Sequence, residues 1–209
     1  MNVPNILTMM RVAMVLIFVA LAANAGKIFF PEGGMPESVF WIRMTAYILA
    51  ILAGLTDLLD GYIARRWNLV TDFGALMDPL ADKVFITATM LMAVEYQLMP
   101  AWIAVLVISR EFMVTGLRTM AAKNGIVISA DRWGKLKTAL QMTMLALCGA
   151  SWVGWYDLHH TVFRIGSAEV RLWSIWLVFL TGIVLVTVLS GLGYFIRYRH
   201  VFLAPKGER

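Results

Sequence analysis

The chain has 209 residues, of which 60% are hydrophobic and 15% are charged, and its formal net charge is +5. Soluble globular chains are about 45–50% apolar, so this composition indicates a membrane-embedded protein, and the length suits one domain. The single cysteine, Cys148, excludes an intramolecular disulfide. The basic excess is explained by contact with anionic lipid headgroups and gives no indication of a nucleic-acid partner.

Apolar runs close to the length of a bilayer span, about 20 residues, recur along the whole chain. They predict an all-α fold of six transmembrane helices at 6–23, 40–63, 80–96, 100–121, 138–156 and 172–196. Tryptophan and tyrosine gather near the ends of these runs, as expected where helices meet lipid headgroups. The loops at 24–39 and 157–170 are expected to be ordinary external connections, and His159 and His160 to be solvated rather than bound to a metal.

The first apolar run has some features of a cleavable signal peptide, namely a basic residue (Arg11), an apolar core and the sequence AANAG at 22–26. Its N-terminal part holds only that one basic residue and is interrupted by Asn5 and Thr8, and five more apolar runs follow. The run is therefore expected to be retained as the first transmembrane helix.

Lysine and arginine concentrate at one end of the predicted bundle. The positive-inside rule places that end, with both termini, in the cytoplasm. We therefore expect a multi-pass protein of the cell (inner) membrane with a cytoplasm-facing cavity. The residues at this end are Arg11, Arg65, Arg66, Lys83, Arg118, Lys123, Arg132, Lys135, Lys137, Arg197, Arg199, Lys206 and Arg209.

Acidic residues mark the cytoplasmic end of the second predicted span. A carboxylate inside a membrane costs about 2.5–3.5 kcal/mol on insertion scales, so it requires a partner or a function. On an ideal helix, Asp57, Asp60, Gly61, Ala64 and Arg65 fall within an arc of about 140°. This face combines two acids and a cation with two very small residues, which permit a ligand or another helix to approach the backbone closely.

The third predicted span begins with a second acidic pair. Asp78 and Asp82 are i,i+4 neighbours and share one face of a helix. Pro79 fits if it lies within the first helical turn, where backbone N–H groups have no intrahelical partner. Gly74 gives the connecting segment the freedom to turn back. Asp72 is expected to lie in this loop and to have a structural role.

Four carboxylates that converge from two helix ends would repel one another unless cations or protons bind between them. Carboxylate oxygens without nearby cysteine or histidine favour hard ions, Mg²⁺ or Mn²⁺. Two such ions about 3.5–4 Å apart suit transfer on a phosphate. The alternative, that the acids only pair with Arg65, Arg66 and Lys83 or cap helices, does not account for their spacing.

The string D-x-x-D-G-x-x-A-R-x8-G-x3-D-x3-D, from Asp57 to Asp82, matches every fixed position of a known signature. By this string the chain resembles the CDP-alcohol phosphotransferase family. The resemblance implies a six-helix membrane enzyme, usually a homodimer, that transfers a substituted phosphoryl group from a CDP-linked donor to an alcohol.

The resemblance also implies roles for individual residues. Asp82 would be the general base. The metal ligands would be Asp57, Asp60, Asp78 and Asp82. The CDP-linked donor would lie against Asp57, Gly61, Ala64 and Arg65, and the N-terminal segment PNILTMMR would add Asn5 and Thr8, although a simple interfacial helix start explains that segment equally well.

Basic residues in the fourth and fifth predicted spans indicate a second anion-binding pocket. Arg110 lies about eight residues inside the cytoplasmic end of its span and should face a polar cavity rather than lipid. Arg118 is about 12 Å further along the helix and offset by about 80°. Glu111 is expected to be a structural partner for a basic residue. Lys135 and Lys137 point about 200° apart, so only one of them readily faces the same pocket.

Such a pocket suits an acceptor that carries its own phosphate. The segments SREFMVTGLR and WGKLKTALQM resemble the branch of the family with CDP-diacylglycerol as donor and glycerol 3-phosphate as acceptor. Arg110 and Lys135 are favoured for the acceptor phosphate, with Arg118 and Lys137 as further candidates. Two alternatives stay open: the branch whose acceptor is phosphatidylglycerol, and a cation-coupled transporter, for which an internal repeat would be expected.

Overall fold

The computed structural model of the chain describes residues 3–26, 34–67, 72–123, 132–165 and 168–203. Within its helices, the side chains of 57–67, 72–76, 78 and 79, and of a few residues at helix ends, lie outside the described part. Six helices and one pair of strands form the described part: α1 (Val3–Asn24), α2 (Glu37–Trp67), α3 (Asp72–Glu95), α4 (Ala101–Lys123), α5 (Arg132–Val153), β1 (Val162–Ile165), β2 (Ala168–Arg171) and α6 (Leu172–Leu203).

The number and order of the predicted helices are confirmed, but the start of the third helix was predicted wrongly. Asp72 is the first residue of α3 rather than a loop residue, and Pro79 lies at the eighth position, beyond the first turn. An acidic residue favours a helix N-terminus, and Ala75, Leu76 and Met77 are strong helix formers. These preferences outweigh the backbone hydrogen bond that Pro79 cannot donate.

The apolar character of the helices is that of a membrane protein. Among the described residues, three helical segments are long and apolar enough to cross a membrane, Asn5–Asn24, Glu37–Thr56 and Leu172–Arg199. Large aliphatic side chains lie on the outer surface of the bundle, for example Val178, which is 73% exposed, and Leu185, which is 58% exposed. In water such a surface would be unfavourable, whereas lipid solvates it.

Small residues allow the first three helices to pack closely. α1 contacts α2 and α3 along much of its length. Ala22, Ala46 and Ala53 are completely buried between these helices, and the larger Phe18 and Met90 fill the remaining space. Small side chains let helix backbones approach, which strengthens van der Waals packing in lipid. α4 and α5 pack against α6, and α2 contacts α5.

A network of hydrogen bonds joins the helix ends on the side of the bundle opposite Asp82. Arg43 of α2 donates to the carbonyl of Trp152 at 2.9 Å and to that of Gly26 at 3.1 Å. Its guanidinium lies over the ring of Tyr96, 5.6 Å from the ring centre, and the Tyr96 hydroxyl donates to the carbonyl of Ala22. This network fixes α1, α2, α3 and α5 relative to one another at this end.

The connection between α5 and α6 contains an antiparallel pair of strands that the sequence analysis treated as an ordinary loop. Val162 is opposite Arg171, and Arg164 is opposite Glu169. Arg164 and Glu169 form an ion pair at 2.7 Å. Two runs of four residues separated by Gly-Ser are a hairpin signal that could have predicted this pair.

Candidate active site

The helix ends of α2 and α3 carry most of the residues that the motif predicts to bind metal and donor. Their backbone is helical throughout, and the two helices contact each other. The side-chain arrangement of these residues lies outside the described part and stays a prediction. They are Asp57, Asp60, Gly61, Ala64, Arg65 and Asp78.

Asp82 is the motif aspartate whose side chain the structure describes. It lies in the third turn of α3, and its carboxylate accepts a hydrogen bond from the Nζ of Lys83 at 2.8 Å. The Asp82 side chain keeps 29% of its surface exposed, whereas that of Lys83 keeps 15%. The carboxylate therefore carries a cationic neighbour and still has surface that a substrate can reach.

Glu111 of α4 is surrounded by basic side chains from three helices. Lys137 of α5 donates to its Oε1. Lys83 lies 3.7 Å from its Oε2, and a guanidinium nitrogen of Arg110 lies 3.7 Å from its Oε1. We call Asp82, Lys83, Arg110, Glu111 and Lys137 the Glu111 cluster. The expectation that Glu111 partners a basic residue is confirmed.

The Glu111 cluster contains three cations and two carboxylates, and most of it is buried. Arg110, Glu111 and Lys137 are 9%, 6% and 4% exposed. Charges in such surroundings are screened weakly and interact strongly. The surplus positive charge is therefore a suitable environment for a bound anion.

The arginines of α4 reach α6, a contact that the sequence analysis did not anticipate. Arg110 donates to the Oγ of Ser190 at 2.7 Å, and Arg118 donates to the hydroxyl of Tyr194 at 2.7 Å. Ser190 and Tyr194 are both buried. Their spacing of four residues within an otherwise apolar run is the signal that could have indicated a polar face on α6.

The structure separates the two lysines at the start of α5. Lys137 is buried in the Glu111 cluster, whereas the side chain of Lys135 is exposed. The prediction that only one of them turns towards the interior agrees with this arrangement, and the lysine that does so is Lys137.

The polar stripe at the start of α1 is buried. Asn5, Thr8 and Arg11 are 8%, 1% and 1% exposed, and each has interaction partners. A plain interfacial helix start would leave such residues in contact with water or headgroups. Their burial therefore argues against a plain interfacial helix start.

A cavity of about 440 Å³ lies between α1, α2, α3 and α5, with Asp82 on its wall. Its lining is mostly apolar and includes Ile51, Phe85, Met92 and Tyr96. Asp82 and Tyr96 are separated by about 21 Å along α3, from the 1.5 Å rise per residue. The cavity thus follows α3 from the end that carries Asp82 towards the opposite end of the bundle.

The chemistry of the motif suits a divalent cation, because it supplies carboxylate oxygens from two contacting helices. Within the part of the chain that the structure describes, no group of three or more histidine, cysteine, aspartate or glutamate residues could hold a metal. Three of the four candidate ligands have side chains outside that part.

The fold is that of a helical membrane protein, and the buried, charged Glu111 cluster lies between its helices. The chain belongs to the CDP-alcohol phosphatidyltransferase family, whose model matches residues 1–184. Members of this family generally depend on divalent metal ions.

Curated bacterial relatives are similar over much of the chain. The chain is 37% identical over 197 residues to the CDP-diacylglycerol–glycerol-3-phosphate 3-phosphatidyltransferase of Bacillus subtilis, covering 93% of each chain. It is 38% identical over 180 residues to the protein of the same name from Haemophilus influenzae, covering 83% of this chain and 89% of the relative. A probable phosphatidylglycerophosphate synthase of Mycobacterium tuberculosis is 37% identical over 146 residues, 70% of this chain and 65% of the relative.

Proposed function

We propose that this enzyme transfers the phosphatidyl group from CDP-diacylglycerol to glycerol 3-phosphate, releasing CMP and phosphatidylglycerophosphate. The names of the bacterial relatives support this activity. The observation in the structure that carries the choice of acceptor is the burial of Arg110 and Lys137 in the same cluster as Asp82.

The proposed donor site lies between the ends of α2 and α3. Asp57, Asp60, Asp78 and Asp82 would hold Mg²⁺ or Mn²⁺, with two ions as the expected number. When bound, such ions neutralise the diphosphate and stabilise the charge that develops during transfer. Asn5 and Thr8 of α1, together with Gly61, Ala64 and Arg65 of α2, would lie against the donor. The apolar cavity along α3 would accept an acyl chain.

The proposed acceptor site uses the basic side chains of α4 and α5. Arg110 and Lys137 would bind the phosphate of glycerol 3-phosphate. Arg118, which lies about two turns further along α4, would also contact this phosphate. The sequence favours Lys135 for this contact, but its side chain is exposed, so Lys135 would have a secondary part, in contact with headgroups. An acceptor without a phosphate would leave the surplus positive charge of the Glu111 cluster without a bound anion.

Asp82 acts as general base in the proposed reaction. Its carboxylate takes the proton from the free primary hydroxyl of glycerol 3-phosphate as the oxygen attacks the β-phosphorus of the donor. The bond from that phosphorus to the oxygen of CMP breaks, and CMP leaves with the electron pair. Lys83, at 2.8 Å from Asp82, helps to orient the carboxylate.

The proposal includes an arrangement in the membrane. All six helices would cross the inner membrane, with both termini and the active site on the cytoplasmic side, and two copies would form a homodimer, as the family resemblance implies. The apolar donor and product would then remain in the bilayer while glycerol 3-phosphate and CMP exchange with the cytoplasm.

Product identification tests the proposal. Purified protein is supplied with CDP-diacylglycerol, Mg²⁺ and a mixture of glycerol 3-phosphate, phosphatidylglycerol, inositol and serine, and the lipid products are identified by mass spectrometry. The expected result is phosphatidylglycerophosphate with one CMP per lipid formed. Formation of cardiolipin in its place would assign the chain to the branch that uses phosphatidylglycerol, and absence of any lipid product would reject the transfer reaction.

A further inference from the structure

One aromatic ring of α6 contacts two arginines of α4. The guanidinium of Arg118 lies 5.2 Å from the centre of the Tyr194 ring, and that of Arg110 lies 5.8 Å from it. Arg118 also donates a hydrogen bond to the Tyr194 hydroxyl at 2.7 Å. Tyr194 is 5% exposed, so these contacts are made in the interior. Cation–π contacts are stronger when the groups are desolvated.

Tyr194 provides a contact that the two arginines share. Arg110 and Arg118 are about 12 Å apart along the axis of α4 and point about 80° apart on an ideal helix. Each long side chain has several rotatable bonds and loses substantial conformational entropy when it is held in one geometry. The Tyr194 ring nevertheless contacts both guanidinium groups, at 5.8 Å for Arg110 and 5.2 Å for Arg118, so both side chains extend from α4 to α6.

Ser190 and Gly191 complete the surface that receives Arg110. The Ser190 Oγ accepts a hydrogen bond from Arg110 at 2.7 Å. A Cβ at position 191 would lie 3.1 Å from the Cγ of Arg110, so glycine provides room for the arginine stem. An arginine side chain has five N–H donors, and each hydroxyl of α6 occupies one of them. A guanidinium that is held in one geometry can bind a phosphate through two parallel N–H···O bonds.

We propose that Tyr194 and Ser190 are positioning residues, which hold Arg110 and Arg118 in the geometry that binds the phosphate of the acceptor. This inference rests on the proposed function. Both residues lie beyond residue 184, where the match to the family model ends.

Variants of α6 separate the contributions of the Tyr194 ring, the Tyr194 hydroxyl and the Ser190 hydroxyl. Tyr194→Phe keeps the ring and removes the hydroxyl, whereas Tyr194→Leu removes both. Ser190→Ala removes the acceptor for Arg110, and Ser190→Thr restores a hydroxyl. Ile196→Ala is the matched control, because Ile196 is on the same helix and 64% exposed. Turnover is measured over a range of glycerol 3-phosphate and CDP-diacylglycerol concentrations, and thermal unfolding is measured with and without glycerol 3-phosphate.

The expected result is a change in acceptor binding alone. Loss of one hydrogen bond to a charged group corresponds to about a tenfold rise in the KM for glycerol 3-phosphate, expected for Tyr194→Phe and Ser190→Ala. Tyr194→Leu should raise the KM for glycerol 3-phosphate further. With Ser190→Thr this KM should be closer to that of the unmodified protein than with Ser190→Ala. The kcat and the KM for CDP-diacylglycerol should stay within about twofold, because neither contact is made in the transition state alone.

The same measurements distinguish failure of the positioning role of Tyr194 and Ser190 from failure of the proposed transfer reaction. If the unmodified protein forms phosphatidylglycerophosphate and the Tyr194 variants keep its KM for glycerol 3-phosphate, the positioning role is rejected and the function stands. A fall in kcat without a change in KM also rejects it. If glycerol 3-phosphate stabilises the unmodified protein but not Tyr194→Leu, and no product forms, the function fails while the positioning of the arginines is supported. Absence of both stabilisation and turnover in the unmodified protein rejects both.

Discussion

Glu111 of α4 and Lys137 of α5 form an ion pair in the interior, 26 positions apart in the sequence. Their side chains keep only 8% and 5% of their surface exposed. Since water solvates neither charge well, each depends on the other. The same carboxylate lies near Lys83 and Arg110, so Glu111 fixes the relative positions of three cations.

Glu111→Gln is expected to lower the free energy of unfolding by about 3–5 kcal/mol, the usual cost of removing one partner of a buried ion pair. Unfolding in detergent micelles, followed by circular dichroism, measures the change. In the double variant Glu111→Gln, Lys137→Met the uncompensated lysine is absent, so much of the lost stability should return. Turnover in the double variant should be lower than in the unmodified protein even where stability returns, because Lys137 is proposed to bind the acceptor. Equal stability of Glu111→Gln and the unmodified protein would show that the pair is not coupled.

Asp82→Asn should lower kcat by about 10²–10⁴-fold, the usual contribution of general acid–base catalysis. The amide has nearly the same shape as the carboxylate but cannot accept the proton from the attacking hydroxyl. Asp157→Asn, in the loop after α5, is the matched control and should retain normal turnover at neutral pH. Near-normal turnover of folded Asp82→Asn would rule out Asp82 as the base.

Chelation with EDTA is expected to abolish turnover, and Mg²⁺ or Mn²⁺ should restore it. The ions should also raise the unfolding temperature by mass action if they bind the folded protein. Asp60→Asn should weaken this stabilisation in a measurement that does not depend on turnover. Full activity in EDTA would contradict the assignment of the four aspartates as metal ligands.

Gly149→Ala should reduce the free energy of unfolding by about 1–3 kcal/mol, as overpacking usually does. A Cβ at this position would overlap the ring of Tyr47. The ring has little freedom to move, because its hydroxyl donates to the carbonyl of Ala146 at 3.0 Å and it packs edge-on against Trp155. Gly182→Ala is the control, since a Cβ there would meet no atom within 4 Å. Equal unfolding temperatures for the two variants would contradict this account of the α2–α5 contact.

The loop after α5 should lose stability in acid. Partial burial raises the pKa of Asp157, but hydrogen bonds from the His160 side chain and from the backbone N–H groups of His159 and His160 outweigh it, so the pKa lies below its ordinary value. The resulting stabilisation is complete above the ordinary aspartate pKa of about 3.9 and is lost as the pH falls through the lowered value. Unfolding temperatures measured between pH 2 and 7 should fall in acid for the unmodified protein and should fall less for Asp157→Asn. Identical pH profiles of the two proteins would contradict a stabilising role of ionised Asp157.

Much of the fold could be predicted from the sequence, because six apolar runs correspond to six helices. The start of α3 could not be predicted. A proline is usually found in the first turn of a helix, but the helix-forming residues before Pro79 let α3 begin at Asp72. The hairpin before α6 was missed because four-residue strands give a weak pattern beside long apolar helices.

Local spacing predicts some features of the site. Helical periodicity predicts that Asp78 and Asp82 share one face, which stays a prediction. It also predicts that Lys135 and Lys137 diverge, which the structure confirms. It could not show which lysine is buried, because that depends on contacts between α4 and α5. The contributions of Ser190 and Tyr194 depend likewise on packing between helices far apart in sequence, so no local pattern identified their partners.

Acceptor competition tests the central claim most directly, namely that buried cations beside Asp82 select an alcohol that carries its own phosphate. Purified protein is given CDP-diacylglycerol and a divalent cation with equal concentrations of glycerol 3-phosphate and glycerol, and the two possible lipid products are quantified. The account predicts that phosphatidylglycerophosphate exceeds phosphatidylglycerol by about 10³-fold or more, since a buried charged site discriminates strongly against a ligand that leaves it unpaired. Comparable amounts of the two products would contradict it.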